Sequence, residues 1–141
     1  GAKEYFWGVS IKPGKPVSFS VAPTGCRVFA LPGNPVSAFV TFEVFVAPAI
    51  KKLMGAPVPG PEFEPVVMAT DLKRNASRLE FVRAITENIG GKLTALPLAK
   101  QGSNMVTSVS RADRLLLIEP GDDVAKAGTL VESLPLRWAQ R

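Results

Sequence analysis

Hydrophobic and polar positions follow two different patterns along the chain. In the first part, short runs rich in β-branched and aromatic residues lie at residues 5–11, 17–21 and 26–31, and a long apolar stretch follows at residues 36–50. Such short runs predict strands, and the long stretch predicts a helix. The second part has only short runs, separated by turn sequences such as NIGGK and EPGDD. The pattern therefore predicts an α/β segment followed by an all-β segment.

The predicted helix has clear boundary residues. Asn34 can cap its start, and Pro35 suits the first position, where a missing N–H costs nothing. Gly55 can end it. Apolar residues lie on nearly every side, so we expect the helix to be buried against its own sheet and against something else. Pro48 removes one backbone hydrogen bond and is expected to kink the last turns.

A proline-rich stretch divides the chain. Residues 54–65, MGAPVPGPEFEP, hold four prolines and two glycines among twelve residues, which is typical of a linker. The runs after it lie at residues 66–72, 78–87, 92–98, 115–119 and 129–134, with a short helical or irregular piece expected near residues 102–110. We therefore predict an α/β fragment at residues 1–56, a linker at 57–64 and a small all-β barrel-like or sandwich domain at 65–141. Three strands and one helix cannot cover both faces of a sheet, so the chain is expected to begin within a domain.

Composition narrows the possible chemistry. The chain has 141 residues, 46% hydrophobic and 21% charged, as in folded globular domains. It has no histidine and one cysteine, which removes most zinc sites and the Ser-His and Cys-His nucleophiles. The pattern predicts neither a secretory signal nor a membrane span. A lone cysteine, Cys26, fits a reducing cytoplasm.

Charge is unevenly distributed along the chain, whose formal net charge is +5. Residues 1–56 hold six Lys and Arg against two Glu, while residues 57–141 hold eleven against ten acidic residues. The basic first part suggests an anionic partner, which can be nucleic acid, a phosphorylated small molecule or an inorganic oxyanion. An ordinary soluble basic surface explains the same charge.

Two loops of the first part can hold an anion. The stretch ALPGNPVS joins a strand to the helix, where free N-terminal amides and the helix dipole attract anions. The stretch IKPGKP carries Lys12 and Lys15 on a stiff loop just after a strand. Each has a plain explanation as well, the first as a turn with a helix cap and the second as a solvated loop.

Further candidates lie in the second part. In SRLEFVRA, strand alternation puts Arg78 and Glu80 on one side and Arg83 on the other. Arg78 is then an exposed candidate, whereas Arg83 shares an apolar face and is expected to be paired. The polar segment after residue 100 supplies Ser103 beside a glycine, although polar loops without a function are common.

Taken together, these motifs resemble the C-terminal part of the molybdopterin molybdotransferase family, the MoeA proteins and the gephyrin E domain. The resemblance rests on GVSIKPGKPVSF, FALPGNPVSAFVTFEVFVAPAIKKLMG, SRLEFVRA and QGSNMVTSVSRADRLLLIEPGDDVAKAGTLVESL, in the family's order over nearly the whole chain. The pairing of KPGKP with LPGNPVS is highly specific for this family.

The resemblance implies a cytoplasmic, homodimeric, multidomain enzyme that uses Mg²⁺ to insert molybdenum from molybdate into adenylylated molybdopterin. Residues 1–56 would end its three-layer molybdopterin-binding domain, and the family's catalytic and metal-binding acids would lie upstream, leaving the fragment inactive alone. The family's substrate-cleft positions fall on Lys12, Lys15, Pro32, Gly33, Asn34, Pro35, Ser37, Arg78 and Ser103.

Two other functions stay open from the sequence. One is a gephyrin-like scaffold that binds a peptide near the linker. The other is a basic nucleic-acid-binding β domain, but the second part is close to neutral and its phenylalanines, Phe63 and Phe81, offer little for base stacking. Neither a membrane nor a nucleic-acid partner is expected.

Overall fold

A computed structural model of the chain describes residues 1–74, 77–99, 101–102 and 106–136. The chain divides into two compact units, Gly1–Pro61 and Glu62–Arg141. The first unit holds an antiparallel sheet and a long, interrupted helix. The second unit holds a β-barrel.

The sheet of the first unit has three strands. The strands of this unit are β1 Lys3–Trp7, β2 Ile11–Lys12, β3 Ser18–Val21 and β4 Arg27–Ala30. The sheet has the antiparallel order β1-β3-β4. The predicted run at residues 5–11 is divided into β1 and β2 at Gly8, whose φ is 74° and whose N–H donates to Val17 O at 2.9 Å.

One face of this sheet is aromatic. Phe19 pairs with Phe6 on one side and with Phe29 on the other, with ring centroids 6.2 Å and 4.7 Å apart. The ring centroid of Phe45, in the helical segment, lies 6.1 Å from that of Phe6, so the helix packs on this face. Trp7 points to the opposite face and is 67% exposed.

The predicted helix is present but interrupted. Helices α1 Pro35–Thr41 and α2 Ala47–Leu53 are separated by a π-helical turn, Phe42–Val46. The N–H of Ala47 donates to Phe42 O, five residues back, immediately before Pro48. A π-helical turn shifts the hydrogen-bond register by one residue. The disturbance expected at Pro48 therefore lies on the N-terminal side of the proline.

The helix is less buried than its composition predicts. In α1, Val36 and Val40 are buried. In α2, however, Ile50 is 44% exposed and Leu53 is 58% exposed. The second packing surface that the apolar composition predicts therefore does not cover α2 in this chain.

The second unit is a closed five-stranded barrel, which confirms the prediction of a small barrel-like domain after an α/β fragment. Its strands are β5 Glu64–Met68, β7 Leu79–Ile89, β8 Lys92–Pro97, β9 Arg114–Ile118 and β11 Leu130–Pro135. They follow the order β7-β8-β5-β11-β9, and β9 pairs back with β7. Outside the barrel, β6 Leu72–Lys73 pairs with β10 Val124–Ala125, and helix α3 spans Val106–Arg111, which overlaps the helical piece predicted near residues 102–110.

The barrel interior is apolar at its centre and polar at one end. The buried core consists of Val66, Met68, Val82, Ala84, Ala95, Leu116 and Ile118. At one end, Arg114 Nη1 lies 2.9 Å from Glu64 Oε2 and donates to Ser133 Oγ at 3.1 Å. Ser133 Oγ in turn donates to Glu64 O at 2.8 Å. This polar bridge connects β9, β11 and β5.

Candidate functional site

The lysine loop, residues 12–15, is fixed against helix α1 by a glycine. Gly14 is buried and has a φ of +116°. A Cβ at this position would lie 2.5 Å from Thr41 Cγ2 and 3.2 Å from Ile11 Cδ1. Only glycine combines this backbone angle with so close an approach. The side chains of Lys12 and Lys15 on either side of it are exposed.

The second anchor of the lysine loop is the carbonyl of Lys15. The N–H groups of Val9 and Val17 both donate to Lys15 O at 3.0 Å. Gly14 thus fixes the loop to the helix and Lys15 fixes it to the neighbouring backbone. Such a loop loses less conformational entropy on binding a ligand than a free loop does.

The proline-glycine loop, residues 32–37, begins helix α1 with the predicted side-chain cap. Asn34 Oδ1 accepts hydrogen bonds from the N–H of Val36 at 3.1 Å and of Ser37 at 3.4 Å. The extended backbone of Asn34, with φ −76° and ψ 127°, is the usual conformation of a capping residue. The cap therefore occupies two of the first amides of the helix.

The cap limits which backbone amides of this loop can meet an anion. Pro32 and Pro35 have no N–H, and the two amides that follow Pro35 already donate to Asn34. The N–H groups of Gly33 and Asn34 are therefore the backbone donors that this loop can offer to a ligand. Gly33 is exposed, Asn34 is half-buried, and Pro32 is buried.

Both loops lie on helix α1. The proline-glycine loop leads into it at Pro35, and the lysine loop touches it at Thr41, about 9 Å further along the helix axis. Thr41 is fully buried, and its Oγ1 donates to the carbonyl of Ser37 at 2.8 Å. The two predicted loops of the first unit thus contact the same helix, one at its start and one at its end.

The candidates of the second unit have different surroundings. Arg78 is half-buried rather than exposed, and its carbonyl accepts a hydrogen bond from Arg74 Nη2 at 3.3 Å. Arg83 is fully buried, and its Nη2 donates to Gly102 O at 3.1 Å. Burial lowers the pKa of the Arg83 guanidinium. Ser103 lies outside the described residues.

Acidic residues do not form a metal site in the described part of the chain. Within residues 1–74, 77–99, 101–102 and 106–136, no three His, Cys, Asp or Glu side chains come together as metal ligands. The described residues therefore offer no cluster of three such ligands for the Mg²⁺ that the resemblance implies. The half-buried Glu43 lies in the π-helical turn, where burial raises its pKa and the charge of Lys51 lowers it to a smaller extent.

Comparison with protein families identifies the chain. The family described as the MoeA C-terminal region (domain IV) matches residues 65–136. The chain belongs to the MoeA family. A second family, described as a probable molybdopterin binding domain, matches residues 1–52. The two matches fall on the β and the α/β parts of the chain.

Curated relatives of this MoeA-family chain are considerably longer. It is 33% identical to a molybdopterin molybdenumtransferase of Haemophilus influenzae, over 92% of this chain and 32% of the relative. The corresponding enzyme of Bacillus subtilis is 30% identical, over 97% of this chain and 32% of the relative. The molybdenum cofactor synthesis protein cinnamon of Drosophila melanogaster is 37% identical, over 92% of this chain and 22% of the relative. The chain thus spans a third or less of these relatives.

Solved structures have the same fold. A molybdopterin biosynthesis MoeA protein of Pyrococcus horikoshii superposes with a TM-score of 0.76 at 28% identity, over 94% of this chain and 32% of that one. A molybdenum cofactor biosynthesis protein of Pyrococcus furiosus gives a TM-score of 0.76 at 29% identity, over 96% of this chain and 46% of that one. In the described part of this chain, no helix has both the length and the apolar character that a membrane span requires.

Sequence patterns did not single out Thr41. A buried threonine in an apolar helix carries no local signal, because its importance comes from the approach of Gly14, which lies far away along the chain. The two lysine-proline pairs of IKPGKP marked the loop, but not the element that it packs against.

Proposed function

We propose that the chain is the C-terminal portion of a molybdopterin molybdotransferase, which inserts molybdenum from molybdate into adenylylated molybdopterin during synthesis of the molybdenum cofactor. The names of its relatives support this proposal, since two are molybdopterin molybdenumtransferases and one is a molybdenum cofactor synthesis protein. Because the chain spans a third or less of those proteins, we expect it to be inactive alone.

The observation that carries the proposal is the placement of two loops on helix α1. Gly14 fixes the lysine loop at Thr41, and Asn34 caps the same helix at its start. We assign to Lys12 and Lys15 the neutralisation of phosphate or molybdate oxygens, because an ammonium group acts as a compact point charge. In this proposal the lysine loop supplies positive charge and the proline-glycine loop supplies backbone donors, and both loops contact the same helix.

The proline-glycine loop is assigned the second wall of this anion site. Gly33 and Asn34 supply its backbone N–H groups, while Pro32, Pro35 and the buried Ser37 hold the shape of the loop. The chemistry assigned to both loops is electrostatic stabilisation and positioning of the substrate. Proton transfer and the Mg²⁺ ligands are assigned to parts of the full-length enzyme outside the described residues.

The remaining assignments follow from membership of the family. We propose that residues 1–56 end the molybdopterin-binding domain, that residues 57–64 form a linker, and that residues 65–141 form the C-terminal β domain. Arg78 and Ser103 are proposed to contact substrate in the full-length enzyme, which we expect to be a cytoplasmic homodimer. The peptide-binding scaffold and the nucleic-acid-binding domain are not favoured by the names of the relatives.

A reconstituted assay tests the proposed function. The full-length protein is supplied with adenylylated molybdopterin, molybdate and Mg²⁺, and the release of AMP and the activation of an apo-molybdoenzyme are followed. We expect AMP release and cofactor formation to depend on molybdate, and this chain alone to give neither. A full-length protein that forms no cofactor under these conditions would overturn the proposal.

A further inference from the structure

Strand β8 separates from strand β7 just after Pro97. The last residue pair between these strands joins Ala84 to Pro97. One more ladder bond follows, from the N–H of Leu98 to the carbonyl of Arg83 at 2.9 Å. The next described residues, 99 and 101–102, belong to no strand.

At this point the side chain of Gln101, and not a neighbouring strand, forms hydrogen bonds with the backbone of β7. Arg83 N–H donates to Gln101 Oε1 at 3.0 Å, and Gln101 Nε2 donates to Arg83 O at 2.8 Å and to Leu98 O at 2.7 Å. A carboxamide has an acceptor oxygen and two N–H donors, so one glutamine can make all three bonds. Gln101 therefore stands between two strand backbones at the fork where they part.

The side chain of Arg83 also binds Gly102, the residue after Gln101. Its guanidinium is fully buried, and Nη2 donates to Gly102 O at 3.1 Å. Residues 101 and 102 are thus bound to the same residue of β7, the first through the backbone of Arg83 and the second through its side chain. Losing these bonds is costly, because polar groups inside a protein are not readily compensated by water.

We propose that Gln101 is a positioning residue, which fixes residues 101–102 at the start of the loop after β8 to strand β7 and thereby sets the affinity of the cleft for its substrate. The role in substrate affinity rests on the proposed function, in which the segment that begins here contributes to the cleft. All three hydrogen bonds of Gln101 described above go to backbone atoms, so we assign it an effect on KM rather than on the chemical step.

Two substitutions separate hydrogen bonding from side-chain bulk. Gln101→Met keeps the length of the side chain and removes all three hydrogen bonds. Gln101→Asn keeps the carboxamide but shortens its reach by one methylene, and it remains informative if the methionine variant does not fold. The control is Ser110→Ala in helix α3, further along the chain, which removes only a local hydroxyl bond to Thr107 O.

Amide hydrogen exchange of this chain tests the structural part of the proposal. In both Gln101 variants, the N–H of Arg83 is expected to exchange roughly 5- to 10-fold faster, as for the loss of one hydrogen bond. Amides between β9 and β11 should keep their wild-type rates, as should Arg83 in Ser110→Ala. Wild-type exchange at Arg83 in both Gln101 variants would overturn the proposal.

Steady-state kinetics of the full-length enzyme test the functional part. The KM for adenylylated molybdopterin is expected to rise about tenfold in Gln101→Met, with kcat within about twofold of wild type. An unchanged KM together with faster exchange at Arg83 would overturn the role in substrate affinity. A wild-type protein without transferase activity would count against the proposed function alone, because the exchange comparison uses no substrate and still decides whether Gln101 fixes the loop.

Discussion

Gly14 lies so close to Thr41 that a Cβ at residue 14 would come within 2.5 Å of Thr41 Cγ2. Thr41 is held in place, because it is fully buried and its Oγ1 donates to Ser37 O at 2.8 Å and to Ala38 O at 3.1 Å. This contact joins the loop that carries Lys12 and Lys15 to helix α1. The positions of the two lysines therefore depend on a residue that never meets the ligand.

Gly14→Ala is expected to destabilise the first unit. The new methyl group would clash with Thr41, and alanine disfavours a φ of +116°. We expect a loss of about 2 kcal/mol or more in the free energy of unfolding, measured by denaturant titration of this chain.

Gly25→Ala is the matched control for this substitution. Gly25 also has a positive φ, +81°, but a Cβ there would meet no atom within 4 Å. Gly25→Ala should lower the free energy of unfolding by about 1 kcal/mol, from the backbone angle alone. Equal losses in the two variants would show that the contact with Thr41 is unimportant.

Substitution of Asn34 separates folding from ligand binding. Asn34→Ala removes the acceptor for the N–H groups of Val36 and Ser37 and should cost about 1 kcal/mol of stability. Asn34→Asp keeps the acceptor and should retain wild-type stability, because aspartate caps helices equally well.

In the full-length enzyme, however, Asn34→Asp places a negative charge in the proposed anion site. We expect it to weaken the binding of adenylylated molybdopterin about tenfold, as measured by calorimetry. Wild-type affinity in a stable Asn34→Asp variant would remove the proline-glycine loop from the site.

Glu43 should make stability depend on pH. Burial raises the pKa of Glu43, so the folded state binds the proton more tightly than the unfolded state. The ionised carboxylate therefore lowers stability above about pH 4.3, the ordinary pKa of glutamate, and the loss disappears at lower pH. Glu43→Gln should stabilise the chain at pH 7 but not at pH 4, in denaturant titrations at the two pH values.

Asp71 should make stability depend on pH in the opposite direction to Glu43. Hydrogen bonds from the N–H of Ala127 and from Lys126 lower the pKa of Asp71. Its ionised form therefore stabilises the fold above about pH 3.9, the ordinary pKa of aspartate, and this contribution is lost as pH falls further. Asp71→Asn should reduce stability at pH 7 and should reduce it less at pH 3, where part of the contribution is lost. The same pH response in both variants would contradict these assignments.

The sequence predicted those elements whose signals are local. Asn34 and Pro35 marked the start of the helix, and the structure shows the expected cap. Alternation around Arg83 predicted a buried position for Arg83, which is fully buried, but it put Glu80 on the other face with the exposed candidate Arg78, and Glu80 is only 6% exposed. Signals of this kind act within one turn of helix or a few residues of strand, and they can be recognised without knowledge of the fold.

Features that depend on distant contacts could not be predicted in this way. The closure of the barrel depends on pairing between β7 and β9, which no local pattern specifies. The π-helical turn before Pro48 depends on how the helix compensates for the missing N–H, and several responses are compatible with the same sequence. The bonds of Gln101 to Arg83 and Leu98 require the fork between β7 and β8. A glutamine in a polar loop gives no indication of them.

The central claim is that Lys12 and Lys15 hold an anionic substrate, and calorimetric titration of the full-length enzyme with molybdate and with adenylylated molybdopterin tests it most directly. The double variant Lys12→Ala/Lys15→Ala is compared with Lys52→Ala, which removes an exposed lysine from α2 of the same unit. We expect the double variant to bind at least one of the two ligands about tenfold more weakly or worse, as for the loss of charge-assisted contacts, and Lys52→Ala to bind as wild type. Wild-type affinity of the double variant for both ligands would contradict the account.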